Sequence, residues 1–150
     1  MLPWRKSIIL LRHSFKQVYN SNVDKLSVLI ADDAPFIREI LRHIIERGGH
    51  KVVGEAEDGV QAVAMTLEKK PDLVIMDIVM PNMTGVQATK EILAKLPETK
   101  VIACSTLDQD NMLMKVMEAG AVEYIKKPFS APDVMKIIEG VFSPRRKEDI

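Results

Sequence analysis

Two hydrophobic spacings alternate along this chain. From Leu26 onward, short runs of Val, Ile, Leu, Met and Ala bounded by charged or turn residues are followed by stretches in which apolar residues return every three or four positions. The runs at 26–31, 51–55, 72–76, 100–104 and 122–125 have the length and composition of strands buried on both faces, as in a parallel sheet covered by helices. Between the first two, Phe36, Ile37, Ile40, Leu41, Ile44 and Ile45 predict a helix with one buried face. Val60, Val63 and Leu67 predict a second, and Val86, Thr89, Ile92, Leu93 and Leu96 a third. Met112, Leu113, Val116 and Met117 predict the fourth, and Val134, Ile137, Ile138, Val141 and Phe142 the fifth. Gly48-Gly49 ends the first helix, Lys70-Pro71 and Leu96-Pro97 cannot continue the next two, and Ala119-Gly120 offers a left-handed cap to the fourth. Five strand and helix units in this order predict an α/β domain, a doubly wound (βα)5 fold on a parallel five-stranded sheet.

Composition and charge sharpen that picture. The chain has 150 residues, 47% of them hydrophobic, enough for one soluble domain with a real core. Its 21 basic and 21 acidic residues cancel, which speaks against bulk attraction to nucleic acid. The cancellation hides a division: residues 1–25 carry +4, residues 26–143 carry 13 positive and 18 negative charges, and the tail 144–150 carries +1. The aliphatic run 8–11 is cut by Arg12, far short of a membrane span or a secretory core. Cys104 is alone, so a reducing, cytoplasmic compartment is expected, and His13, His43 and His50 show no zinc-ligand spacing with it. Within 1–25, Trp4, Ile8, Leu11, Phe15 and Val18 follow a 4,3,4,3 spacing among basic residues. That stretch reads as an N-terminal extension, either a basic amphipathic helix that docks on a membrane surface, an acidic protein or a second subunit, or an arm without fixed structure.

In a doubly wound sheet, ligands bind beyond the carboxyl ends of the strands. Those ends here read Ala31-Asp32-Asp33, Met76-Asp77, Cys104-Ser105-Thr106 and Tyr124-Ile125-Lys126-Lys127-Pro128. Three carboxylates, two hydroxyls and a lysine thus converge on one edge. Carboxylates so grouped repel one another unless a cation is present, and a hard divalent ion such as Mg²⁺, with Mn²⁺ as a substitute, suits oxygen ligands beside phosphate. Hydroxyl and ammonium donors serve phosphoryl oxygens, and an aspartate can be the phosphoryl acceptor once metal and lysine offset the charge repulsion. The constellation predicts phosphoryl transfer to Asp77. Asp33 has a second reading, as N-cap of the helix opening at Pro35, whereas Asp32 has none. Ser105 and Tyr124 taken singly could simply end or fill a strand. Cys104 reads as a small buried hydrophobe, and the methionines at 112, 114 and 117 as core and partner surface.

The segments SVLIADDAPFIREIL, PDLVIMDIVMPNMTG, VIACST and YIKKPF resemble the receiver domain of two-component response regulators, nearest its single-domain chemotaxis subtype, over about residues 25–142. The resemblance implies a flavodoxin-like sheet in the order 2-1-3-4-5. It implies Asp77 as phosphoacceptor, Asp32 and Asp33 as the metal-binding pair, and the Val79 carbonyl as a further metal ligand. It also implies Ser105 and Tyr124 as switch residues, and Lys127 as the phosphate-contacting lysine before a cis Pro128. On that reading the phosphoryl group draws in Ser105, Tyr124 follows, and the surface of the fourth helix, fifth strand and fifth helix changes. The resemblance also implies that the side chains of Val79 and Leu107 stand where such receivers tune acyl-phosphate hydrolysis, and both are apolar here, which predicts a long-lived phosphoryl state.

The implied partners are a sensor histidine kinase or a phosphotransfer protein upstream and a protein target downstream. No direct nucleic-acid contact and no transmembrane segment are expected, and weak dimerisation stays open. The chain is expected to be a signalling phosphoacceptor, catalysing only its own phosphorylation and slow dephosphorylation, or a phosphorelay intermediate. A hydrolase using aspartyl phosphate would carry a second acid where Val79 stands. A nucleotide or flavin module would carry a Gly-rich loop where Asp32-Asp33-Ala34-Pro35 stands.

Overall fold

Strands β1 (Ser27–Ala31), β2 (Lys51–Ala56), β3 (Leu73–Asp77), β4 (Lys100–Ser105) and β5 (Glu123–Lys126) alternate with helices α1 (Pro35–Arg47), α2 (Gly59–Lys69), α3 (Gly85–Lys95), α4 (Asp110–Glu118) and α5 (Ala131–Phe142). All strand pairs are parallel, in the order β2-β1-β3-β4-β5. This is the predicted doubly wound, flavodoxin-like topology. The computed structural model describes residues 23–106, 108 and 110–143. The expectations for the arm at 1–22, for Leu107 and for the tail at 144–150 lie outside the described residues.

Alternation along each strand divides the core into two layers. Val74, Met76, Val101 and Ala103 face one way and join Ala62 of α2, Ile92 of α3 and Val116 of α4. Leu73, Ile75, Ile102 and Cys104 face the other way and join Leu41 and Ile45 of α1 and Met135 and Ile138 of α5. The central strand β3 is wholly buried, as its unbroken apolar sequence requires. β2 is an edge strand whose middle is only half-buried, and an extra residue in it shifts the register between Val28 and Leu29. Among the described residues no helix is long and apolar enough to cross a membrane.

Three expectations change. Phe36 and Val60 do not belong to the buried stripes: they are 70% and 50% exposed. Each is the second residue of its helix, and neither packs into the two core layers. Asp33 is not the N-cap of α1; that position belongs to Ala34, which makes no side-chain cap bond. The local role falls instead to Asp32, whose Oδ1 accepts the Ala34 N–H at 2.9 Å. Strands β2, β3, β4 and β5 each end one residue later than expected, so Asp77 and Ser105 are held within the ladder. At the other edge, Val23 packs against the core layer of α1 and α5, and the Leu26 N–H donates to His50 Nδ1 at 3.0 Å.

Candidate functional site

Each strand ladder delivers one part of the site to the same edge. β1 ends at Ala31, and Asp32 follows with its N–H bonded to the Ala56 carbonyl of β2 at 3.1 Å. β3 ends on Asp77, paired in register with Cys104 of β4. One residue beyond, Ser105 pairs with Lys126, and the Lys127 N–H donates to the Ser105 carbonyl at 2.6 Å. Lys127 precedes a cis peptide bond to Pro128, as the resemblance implied.

The three carboxylates meet. Asp32, Asp33 and Asp77 each offer an oxygen within 4.8 Å of the others, two of the residues being buried and Asp33 exposed. Lys127 lies across two of them: its Nζ donates to Asp32 Oδ2 at 2.8 Å and stands 3.5 Å from Asp77 Oδ1. One ammonium does not neutralise the group. Burial, together with the charge of Asp32, pushes the Asp77 carboxyl up to about 7, and Lys127 offsets only part of this. Burial draws the Lys127 ammonium down, but its hydrogen bond to Asp32 and the charge of Asp77 outweigh that, so its pKa ends above the ordinary lysine value. A small divalent cation answers this arrangement: three oxygens converge, one from an exposed side open to water, and the remaining charge deficit is that of a hard ion. These residues fit Mg²⁺.

Among the predicted switch residues, Ser105 is buried and alternates to the same sheet face as Ala103, whose layer Tyr124 also packs against. Lys126 stands with its Nζ 5.9 Å from the centre of the Tyr124 ring. Cys104 points to the opposite layer and is 1% exposed; burial pushes its thiol up to about 12, which suits a hydrophobe and not a nucleophile. Val79, two positions past Asp77, is 48% exposed, and Met114 on α4 is 65% exposed.

Two supports were not foreseen. Arg38 of α1 donates from Nη1 to the Asp32 carbonyl at 2.7 Å and pairs with Glu55 at 3.5 Å and Glu57 at 3.8 Å. Arg42 pairs with Glu55 as well. The basic residues sit on the polar side of the α1 stripe, where periodicity says only that they face away from the core. The second support is close approach: a Cβ on Gly85, the first residue of α3, would stand 2.1 Å from the Asp77 carbonyl oxygen. A Gly at the start of a helix was the available signal.

A family model described as the response regulator receiver domain matches residues 28–139. The chain belongs to this family. This receiver is 45% identical over 114 residues to the chemotaxis protein CheY of Thermotoga maritima, a match that covers 76% of this chain and 95% of that one. Among solved structures it is similar to the response regulator domain of Thermotoga maritima CheB, at 36% identity and a TM-score of 0.72, covering 81% of this chain and 99% of that one. It is also similar to a chain of the CheX-CheY-BeF3-Mg²⁺ complex from Borrelia burgdorferi, at 29% identity and a TM-score of 0.74, covering 79% and 90%. The receiver is thus a signalling protein of two-component systems, homologous to CheY along most of its length.

Proposed function

We propose that this receiver takes a phosphoryl group onto Asp77 from a phosphohistidine, with Mg²⁺ held by Asp32, Asp33, Asp77 and the Val79 carbonyl. The observation that carries the reading is the joint geometry of three carboxylates within 4.8 Å and a lysine reaching two of them. A carboxylate oxygen of Asp77 attacks phosphorus, the N–P bond of the donor breaks, and the departing imidazole recovers its nitrogen lone pair and takes up a proton. Bound Mg²⁺ supplies charge neutralisation for the acidic group and for the phosphoryl oxygens. Lys127 holds Asp32 in place and provides a second positive charge at Asp77. Ser105 provides a hydroxyl at the adjacent strand end, and Tyr124 responds to its displacement, altering the face of α4, β5 and α5 that meets a downstream protein target.

The donor is a sensor histidine kinase or a phosphotransfer protein, and the setting is cytoplasmic. Exposed Phe36 and Val79 give the rim of a charged site two apolar contacts for the donor's surface. The apolar Val79 side chain holds no water near the acyl phosphate. It therefore favours a long-lived phosphoryl group, which serves direct output and also onward transfer in a relay. The domain proper is 26–143.

Incubation with acetyl phosphate and Mg²⁺ followed by intact mass measurement tests the reading. We expect one phosphoryl adduct that is absent without metal and absent in Asp77→Asn. No adduct with metal present, or an adduct that persists in Asp77→Asn, would overturn it.

A further inference from the structure

The metal ligands proposed above come from the end of β3 and from the two loops that follow β1 and β3. Both loops are tied to a third segment, the end of β2 and its turn into α2, which contributes no ligand. On the β1 side the tie is Arg38, which grips the Asp32 carbonyl and pairs with Glu55 and Glu57. On the β3 side it is Asp58, the N-cap of α2, which uses both carboxylate oxygens. Oδ1 accepts the Gln61 N–H at 2.8 Å, and Oδ2 accepts from Asn82 Nδ2 at 2.9 Å across 24 residues of sequence. The Gln61 and Asn82 amides together hold the Asp58 carboxyl below its ordinary pKa, so it stays an acceptor throughout the neutral range.

Asn82 belongs to the same loop as Val79 and has φ +67, a left-handed backbone that asparagine tolerates. The approach of the two segments is close: a Cβ on Gly59, beside Asp58, would stand 2.2 Å from the Met83 carbonyl oxygen. Packing therefore sets how near the turn comes, and the Asp58–Asn82 bond sets how the loop is aligned against it.

We propose that Asp58 is a positioning residue for the metal site: by holding Asn82 it fixes the β3–α3 loop, and with it the Val79 carbonyl, at the separation from Asp32 and Asp33 that a divalent ion requires. The inference rests on the metal reading given under Proposed function. Mg²⁺ demands nearly octahedral oxygens at a distance of about 2.0–2.1 Å. A side-chain ligand can swing to meet that demand, whereas a backbone carbonyl moves only with its loop. Outer supports of this kind orient ligands without touching the ion.

The test is a double-mutant cycle read by calorimetric titration of Mg²⁺ alone into the full chain. Asn82→Gly deletes the cross-loop bond while permitting positive φ and leaving the cap of α2. Asp58→Ser keeps a capping oxygen but loses the acceptor that Asn82 uses. In the wild-type background Asn82→Gly is expected to raise the Mg²⁺ Kd by about three- to tenfold. In the Asp58→Ser background the same change is expected to have little further effect, because the bond is already gone. Denaturation midpoints without metal, measured on the same four proteins, separate lost positioning from lost folding. An unchanged Kd in Asn82→Gly, or the same loss in both backgrounds, overturns the role of Asp58 while leaving the metal site standing. A wild-type chain that binds no Mg²⁺ overturns the metal reading and this inference with it.

Discussion

The proposed function gives Val79 two roles in one residue. Its carbonyl is a proposed metal ligand, while the residue as a whole is 48% exposed two positions past Asp77. An isopropyl group neither donates to nor accepts from a water, so on the proposed reading this position offers nothing to orient solvent for attack on an acyl phosphate. Replacing it with an amide of similar size leaves the backbone ligand in place and adds a group that can orient water. Val79→Asn is expected to speed dephosphorylation by roughly three- to tenfold, measured as phosphate release after the phosphodonor is removed. An unchanged rate would assign the lifetime to other groups. Lys127 shows the opposite economy: a single ammonium bridges Asp32 and Asp77, so its position could be expected from the strand end, but its two-sided contact could not.

At the scale of elements, helices α3 and α5 show how one substitution changes sign with place. Gly85 opens α3 directly over the last residue of β3, where a methyl group would collide with the Asp77 carbonyl oxygen at 2.1 Å and the Ile78 Cα at 2.9 Å. Gly140 lies in α5, where a methyl group would meet nothing within 4 Å. Chemical denaturation of Gly85→Ala is expected to show a loss of about 2–4 kcal/mol, since backbone and not a flexible side chain must yield. Gly140→Ala is expected to gain about 0.5–1 kcal/mol from helix propensity. The strands and helices themselves were legible because short apolar runs alternate with helical stripes, whereas the central place of β3 came only with the family resemblance. What the pattern could not show is where a buried face stops. Phe36 and Val60 have the spacing of core residues but sit one turn too close to the helix start. Contacts between segments far apart in sequence, such as Asp58 with Asn82 or Arg38 with Glu55, leave no periodic trace. For the site, the acids were legible because three of them end strands of one sheet, and Asp33 lost its alternative role as cap only when Ala34 proved to hold that position.

For the whole molecule, the buried acid group is a cost that function requires. Asp77 has its ordinary value, 3.8, in the unfolded chain and about 7 in the folded one. Between those values the folded state binds more protons than the unfolded state, so stability without metal falls as pH rises from about 4 to 7 and then levels off. Asp77→Asn removes this dependence. At pH 8 without metal the variant is expected to exceed the wild type by on the order of 2–4 kcal/mol, with the advantage vanishing near pH 4, as read from denaturation curves across pH. Mg²⁺ is expected to narrow the gap at pH 8 by stabilising the wild type alone, by about 2.7 kcal/mol when the ion is at a hundred times its Kd. Equal stabilities at pH 8 would mean that Asp77 is not held in its strained ionised form. The same dense interior has a practical side. The chain's lone thiol, on Cys104, lies sealed between β4 and the α1/α5 layer with a pKa near 12, so alkylating reagents find no competing target in the native protein. A cysteine introduced at exposed Met114 on α4 would take a spectroscopic label at one site only, making helix α4 directly observable as phosphoryl groups arrive and leave.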